Sequence, residues 1–238
     1  GSGLPYYYLG HLAAAIPVLL SGVDAGTGYN LAVAALFAIA VQAAYGIGVN
    51  LAGRRLYGFL AVFLTMISGF SAGFVQLLSY LGRTDLLQFQ AFAGTFSEWL
   101  VSFDFTAATC VIPHAITLYP FYTFLQGDLH AHFISIPFIL ALAGLCLAMY
   151  RKFSQPLFCT AILVTCFLAG VNLWTLPACL FLVAWTGYCA TKKKAFLLLA
   201  GLEGCAFLAL LFLGRICVFD PGERTGILGF LLTFGGFA

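Results

Sequence analysis

Charged side chains are scarce in this sequence of 238 residues. They make up 8% of it, against about 25% in an ordinary soluble domain, while 63% of the residues are hydrophobic. So few polar side chains cannot cover a water-soluble globule, and so many apolar ones exclude a disordered chain. A net charge of +2 leaves no basic surface for nucleic acid. The composition therefore predicts an all-α protein, a polytopic bundle of transmembrane helices.

A pairing pattern is missing from the eight cysteines. The sequence has no CxxC motif, and six of the cysteines lie inside apolar runs: Cys146, Cys159, Cys166, Cys179, Cys189 and Cys205. We interpret these as small core residues, not as disulfides or metal ligands. The chain also lacks an initiator Met and a basic leader, so we expect it to begin partway into a longer protein.

Long apolar runs, in contrast, are plentiful. A bilayer core about 30 Å thick needs about 20 apolar residues per helix. The runs that predict spans are Tyr29–Ala52, Leu56–Leu81, Phe133–Tyr150, Leu157–Thr191 and Ala195–Gly214. We predict one transmembrane domain over residues 1–238, with an interfacial helix at 5–22, two spans at 29–81, an outer loop at 83–132 and the remaining spans at 133–238.

The cations define an orientation. Seven of the ten lie in three short connections, which are Arg54-Arg55, Arg151-Lys152 and Lys192–Lys194. Cationic connections mark the cytoplasmic side, and this choice places almost every acidic residue outside: Asp24, Asp85, Glu98, Asp104, Asp128, Asp220 and Glu223. Only Glu203 is left within a span. The protein is thus predicted to cross a membrane several times, with its cationic connections on the cytoplasmic side.

Two features follow from this orientation. Leu157–Thr191 has cationic connections on both sides, so it must be a hairpin of two arms, each about 22 Å long. Its tip at Asn172–Pro177 should lie below the outer surface, in the manner of a re-entrant hairpin. The segment Tyr8–Gly22 is too short to span and is predicted to lie on the outer leaflet, anchored by Tyr6-Tyr7-Tyr8.

The sharpest cluster of polar residues is Gln126-Gly127-Asp128-Leu129-His130-Ala131-His132. On a helix, Asp128 and His132 would share a face and His130 would point elsewhere; the three converge on one ion only if the backbone is still extended near Asp128. Ionisable groups bordering hydrocarbon are costly, which favours a catalytic role for the three and a divalent metal site at Asp128 and His132. The alternative is that Asp128 merely caps the following helix.

Three further groups are candidates for substrate binding, each with a structural alternative. Tyr7, Tyr8 and His11 form a polar strip on the first helix, or they only anchor it. Asn172 and Trp174 lie at the hairpin tip, where the amide alternatively satisfies backbone groups. Arg224, followed by Thr225, is suited to grip phosphate, or it pairs with a neighbouring acid.

Several motifs together resemble an uncharacterised prokaryotic family, the YYY membrane proteins. They are Tyr6-Tyr7-Tyr8-Leu9-Gly10-His11, Tyr29-Asn30-Leu31-Ala32, the run from Tyr119-Pro120 to His130-Ala131-His132, Asn172-Leu173-Trp174-Thr175-Leu176-Pro177 and Arg224-Thr225-Gly226. That family is similar in layout to the GT-C glycosyltransferases. The resemblance implies a GT-C-like bundle, with a first span and a catalytic outer-loop acid preceding Gly1.

The resemblance implies an enzyme that takes a lipid-phosphate-linked sugar from the membrane at the extracytoplasmic face. Asp128 and the two histidines would carry the chemistry, and Arg224 would offset charge on the leaving phosphate. Two other functions stay open. The broken hairpin also suits a transporter or flippase. Uncharged residues at Ser2, Cys110, Leu118 and Thr175, where the family usually has charged ones, suit a non-catalytic membrane scaffold.

Overall fold

The computed structural model describes residues 8–68, 71–86, 89–109 and 118–212 of the chain. Within these ranges it is helical, with one isolated bridge between Leu86 and Phe89 as its only β pairing. The described residues form two compact units. The first contains residues 8–62 and 127–212, and the second contains residues 63–126.

The first unit contains the helices that are long and apolar enough to cross a membrane. Of the described residues, three segments meet both conditions: Ala25–Ala52, Ala131–Arg151 and Leu173–Thr191. The helices of this unit are α1 (Leu9–Ser21), α2 (Ala25–Ala52), α3 (Arg55–Val62), α8 (Ala131–Arg151), α9 (Gln155–Val171), α10 (Leu176–Thr191) and α11 (Ala195–Phe212). The predicted all-α membrane bundle is confirmed at this level.

Local signals in the sequence set the ends of α2. The Asp24 carboxylate accepts a hydrogen bond from the Thr27 N–H, 3.0 Å away, and so satisfies one of the free donors of the first turn. At the other end, Gly53 has a φ of +72°, and its N–H bonds the Val49 carbonyl. Glycine takes this left-handed conformation without strain, so the chain turns there towards α3.

The predicted hairpin at Leu157–Thr191 forms as two packed helices, α9 and α10. A short 3₁₀ turn, Leu173–Thr175, separates them. Their core lies against α8, where Leu142, Cys146, Leu168 and Cys179 are buried together. The break in the apolar run was thus predicted correctly, while its depth in a membrane stays a prediction.

Of the six cysteines predicted to be core residues, two are buried, Cys189 is half-buried and three are exposed. Cys146 and Cys179 lie in this core, whereas Cys159 and Cys166 are exposed on α9 and Cys205 is exposed on α11. All six cysteines of the described ranges are free thiols. The other two, Cys110 and Cys217, lie outside those ranges.

The run Leu56–Leu81, predicted as one span, is described as two helical pieces, the first ending at Ile67 and the second beginning at Ser71. Helix α3 is followed by a π-helical turn, Phe63–Ile67, and α4 covers Ser71–Gly82. The Ser68 N–H donates to the Phe63 carbonyl five residues earlier, and the Ser68 hydroxyl donates to the Leu64 carbonyl. These bonds replace the regular ladder, as serine and π turns commonly do.

The three cationic connections meet at one end of the first unit. The Arg151 guanidinium donates to the backbone oxygen of Asn50, which places the end of α8 beside the end of α2. The Phe153 and Phe196 rings are 6.1 Å apart, so the α8–α9 and α10–α11 connections are also neighbours. The predicted gathering of cations on one side is confirmed for this unit.

Helix α1 lies across the opposite end of the first unit. A Cβ built on Gly10 would be 2.9 Å from both Ile134 in the first turn of α8 and Val171 at the end of α9. Farther along, a Cβ on Gly28 in the first turn of α2 would be 2.3 Å from Val18. Because α1 touches only the terminal turns of these three helices at those points, it runs over the end of the bundle. This agrees with an interfacial helix, although its contact with lipid stays a prediction.

The second unit is an aromatic assembly built on α4 and three short helices, α5 (Phe96–Ser102), α6 (Phe105–Thr109) and α7 (Pro120–Gln126). The Tyr80 ring stacks on Trp99 at 5.2 Å, and the Arg83 guanidinium lies 4.3 Å above the same ring. Thr95 and Glu98 form a capping box at the start of α5. The predicted outer loop therefore has ordered structure of its own.

Close packing of α2 on α3 depends on Gly48. A Cβ there would be 2.3 Å from the Tyr57 backbone oxygen, whereas a Cβ on Gly46 would meet nothing within 4 Å. We expect Gly48→Ala to lower the free energy of unfolding by about 1–3 kcal/mol through overpacking. Gly46→Ala, the matched control on the same helix, should cost nothing. Thermal unfolding of the two purified variants in detergent compares them, and equal melting temperatures would contradict this packing.

Candidate functional site

The polar segment before α8 is extended, not helical. Gly127 has a φ of +66°, and His130 is the N-cap residue, with φ −71° and ψ 149°. The His130 carbonyl accepts the Ile134 N–H at 3.0 Å, which starts the helix ladder. Between them Leu129 is buried and its N–H donates to the Tyr29 hydroxyl at 2.9 Å. A turn at glycine and a bond from α2 therefore hold the segment in place.

This backbone brings Asp128 to His130. The Asp128 Oδ2 and His130 Nδ1 atoms are 3.4 Å apart, with the side chains 44% and 51% exposed. The His130 and His132 rings are 4.9 Å apart between centroids and tilted by 53°. The three predicted catalytic side chains thus form one cluster, in the order Asp128, His130, His132.

Two alternatives for Asp128 are excluded by the start of the helix. Asp128 lies two residues before the N-cap, His130, so it does not occupy the capping position. It also precedes the helix, so it does not share a helical face with His132. The histidine that contacts Asp128 is His130. On a continuous helix these two residues, two positions apart, would point in different directions.

The first helix brings His11 to the same end of the unit. Its neighbour Gly10 is packed between Ile134, two residues beyond His132, and Val171, which directly precedes Asn172. His11 itself is exposed, as is Tyr8 at the N-terminal boundary of α1. The first helix, the start of α8 and the hairpin tip therefore meet at Gly10.

The hairpin tip is held by Asn172. Its side-chain oxygen accepts the Trp174 N–H at 3.3 Å, and its backbone oxygen accepts the Thr175 hydroxyl at 2.8 Å. Asn172 is only 6% exposed, while the Trp174 side chain is 51% exposed. The structural role proposed for the amide is confirmed, and binding of substrate by Asn172 and Trp174 stays a prediction.

Several predicted residues lie outside the described ranges. They are Tyr7, Arg224 and Thr225 among the substrate-binding candidates, together with the acids Asp220 and Glu223. The side chain of Glu203 is likewise not described. Their roles stay predictions from the sequence.

A divalent metal site was predicted at Asp128 and His132. In the described part of the chain, no group of three or more His, Cys, Asp or Glu side chains is placed to hold an ion. Two protein ligands would leave most of the coordination shell to water or substrate oxygens. The divalent metal therefore stays a prediction.

Sequence reasoning missed Tyr29 as part of this site. Its hydroxyl reaches across to the segment 100 residues later and accepts the Leu129 N–H. The available signals were its place in the motif Tyr29-Asn30-Leu31-Ala32 and near the start of α2, at the same end of the bundle as Asp128. The sequence alone gives no reason to pair it with Leu129, because the contact depends on how α2 and α8 pack.

Removing the Tyr29 hydroxyl should loosen this segment. We expect Tyr29→Phe to speed amide hydrogen exchange at Leu129 by about fivefold, since one lost hydrogen bond is worth about 1 kcal/mol. Tyr57→Phe, which changes an exposed tyrosine on α3, is the matched control and should leave that amide unchanged. Unaltered exchange in Tyr29→Phe would show that this bond does not hold the segment.

The cap at Asp24 should give a pH-dependent stability at the same end of the bundle. Hydrogen bonds from Thr27 hold the pKa of the Asp24 carboxyl below its usual range. Its contribution is therefore full above the ordinary aspartate pKa and is lost as the pH falls through the lowered value. We expect the melting temperature of wild type to fall in acid relative to that of Asp24→Asn, which keeps a neutral cap. Parallel melting curves at all pH values would contradict this.

The family model described as Uncharacterized membrane protein (DUF2298) matches residues 1–233. No curated protein and no solved structure matches the chain.

Proposed function

The chain belongs to this family of uncharacterized membrane proteins, DUF2298, and on that premise we propose that it is a membrane glycosyltransferase. In this proposal the donor is a sugar linked to a lipid phosphate, and the reaction takes place at the extracytoplasmic face of a prokaryotic cytoplasmic membrane. The fold would be GT-C-like, with the catalytic cluster at the end of the bundle opposite the cations.

The observation that carries the proposal is the Asp128–His130 pair. The two side chains are 3.4 Å apart and about half exposed. They lie directly before α8, a helix long and apolar enough to cross a membrane. An acid and an imidazole in such contact form a typical general-base pair, in which the carboxylate orients the ring and stabilises its protonated form.

The proposed step is a displacement at the anomeric carbon of the sugar. The acceptor hydroxyl oxygen forms the new bond to that carbon, and its proton passes to the free nitrogen of His130. The bond between the anomeric carbon and the phosphate oxygen breaks, and the lipid phosphate leaves with its electron pair. Asp128 then balances the positive charge on the imidazole.

The charge on the leaving phosphate needs hydrogen-bond donors. His132 is close enough to His130 to contact the same substrate, since the two rings are 4.9 Å apart. His11, on α1, is a second proposed donor. The planar guanidinium of Arg224 and the hydroxyl of Thr225 are proposed to complete this set from the later part of the chain.

Exchanging Asp128 for Asn tests the proposal directly. The full-length protein in liposomes is given a panel of radiolabelled polyprenyl-phosphate sugars, and transfer and release of polyprenyl phosphate are measured. We expect Asp128→Asn to slow the reaction by about 10²–10⁴-fold, because an amide does not support the imidazolium.

The matched control is Asp24→Asn, the same exchange at the same end of the bundle but at a helix cap. It should retain wild-type turnover. Equal transfer by Asp128→Asn and wild type would remove this pair from the chemistry. Movement of labelled lipid across the bilayer, with no new covalent product from any donor, would instead identify a flippase.

A further inference from the structure

A cleft opens between α2 and α8 at the cationic end of the first unit. It has a volume of about 350 Å³, and among the described residues its lining comes from these two helices. Gly46 on α2 and Gly144 on α8 both line it, and a Cβ built on either glycine would meet nothing within 4 Å. The cleft therefore exists because both helices lack a side chain where they border it.

One end of the cleft is polar and the rest is apolar. Arg151, the last residue of α8, and Asn50, near the end of α2, belong to the lining. From Arg151 the lining extends along α8 to Leu140, a rise of about 16 Å along the helix axis, through glycine, alanine and leucine only. A charged mouth above an apolar interior is the division of chemistry that a lipid has.

The Arg151 guanidinium keeps free hydrogen-bond donors. It donates to the backbone oxygen of Asn50, while the Asn50 amide is turned back to the Gly46 carbonyl at 2.8 Å. A guanidinium has five N–H donors, and no other residue of the described ranges accepts a hydrogen bond from this one. The Arg151 side chain is also exposed. The remaining donors are therefore available at the mouth of the cleft.

Charge at this end of the unit has one sign. Arg54-Arg55 and Lys152 add cations beside Arg151. Two acids of the first unit have described side chains, Asp24 and Asp128, and both precede the opposite ends of α2 and α8. The described residues of this unit thus offer Arg151 no carboxylate, and the mouth of the cleft is complementary to an anion.

An anionic phospholipid meets both requirements of the cleft. Its phosphate oxygens accept the planar donors of a guanidinium, and one of its acyl chains matches the apolar interior. Basic pockets between transmembrane helices bind anionic lipid head groups in this way. A second copy of the chain fits less well, because copies inserted in one orientation would bring their cationic ends to the same membrane surface, where like charges repel.

We propose that the cleft between α2 and α8 binds one anionic glycerophospholipid, with its phosphate on Arg151 and an acyl chain along Gly46 and Gly144. The site goes beyond the proposed glycosyl transfer and does not depend on it, because it lies at the other end of α8 from Asp128. Inorganic phosphate shares the chemistry of the head group but not that of the chain, and the experiment separates the two.

The test uses two photoactivatable lipids with the same diazirine-bearing acyl chain, a phosphatidylglycerol and a phosphatidylcholine. The full-length protein is reconstituted in phosphatidylcholine vesicles with a trace of one probe and irradiated, and labelled peptides are mapped by mass spectrometry. We expect the phosphatidylglycerol probe to label residues 43–50 and 140–151 about fivefold more strongly, since one cation near an anionic head group contributes about 1 kcal/mol.

Unlabelled phosphatidylglycerol should suppress this labelling. Equal labelling by the two probes would overturn the proposal. Suppression by inorganic phosphate as strong as that by phosphatidylglycerol would also overturn it, since it would identify a site for the free anion.

The head-group contact is tested by Arg151→Gln, and its matched control is Arg55→Gln, at an exposed arginine of the same end that is outside the lining. We expect Arg151→Gln to abolish the preference for phosphatidylglycerol, a fall of about fivefold, and Arg55→Gln to retain it. An equal fall in both variants would show attraction by the overall charge and reject the site.

The apolar interior is tested by Gly144→Leu, with Gly201→Leu on α11 as the matched control, because a Cβ on Gly201 likewise meets nothing within 4 Å. We expect Gly144→Leu to reduce the labelling roughly tenfold, the effect of about 1.4 kcal/mol of lost binding, and Gly201→Leu to leave it unchanged. Closely similar melting temperatures would confirm that both variants are folded. Full labelling of Gly144→Leu would contradict the site. So would an unlabelled cleft in wild type, as expected if a second copy or another part of the chain fills it.

Discussion

Hydrocarbon surroundings tolerate neither free backbone groups nor isolated charges, and the first unit is organised by that constraint. Helices satisfy the hydrogen bonds of the backbone internally. Charged side chains are costly within the hydrocarbon and are therefore placed where the helices end. The unit accordingly has one end with Arg151 beside the turn at Gly53 and another with Asp24 and Asp128. Helix ends that must be polar are also where reactive side chains can be kept at low cost.

The candidate site follows from how one such helix end is built. Gly127 turns the chain, Tyr29 accepts a backbone N–H from the next segment, and α8 begins only after His130. A helix started three residues earlier would have paired Asp128 with a different histidine. The backbone at this junction thus decides which two groups act as the proposed acid–base pair.

Small residues serve two purposes in the same bundle. At Gly10, Gly28 and Gly48 they let other elements approach so closely that even a methyl group would collide. Between α2 and α8, Gly46 and Gly144 instead leave an open cleft. Helix α2 shows both, since it is packed tightly onto α3 at Gly48 and lines the cleft at Gly46.

Local features of the sequence predicted the class of protein, the all-helical architecture, the hairpin break at Asn172 and the gathering of cations at one end of the first unit, because charge scarcity and apolar run length act locally. The sequence predicted Asp128, His130 and His132 as a cluster but not which of them pair. The break at Ser68, the Tyr29–Leu129 bond and the cleft between Gly46 and Gly144 came only from the tertiary structure. Each depends on where separate helices start, stop or touch, which no local pattern specifies.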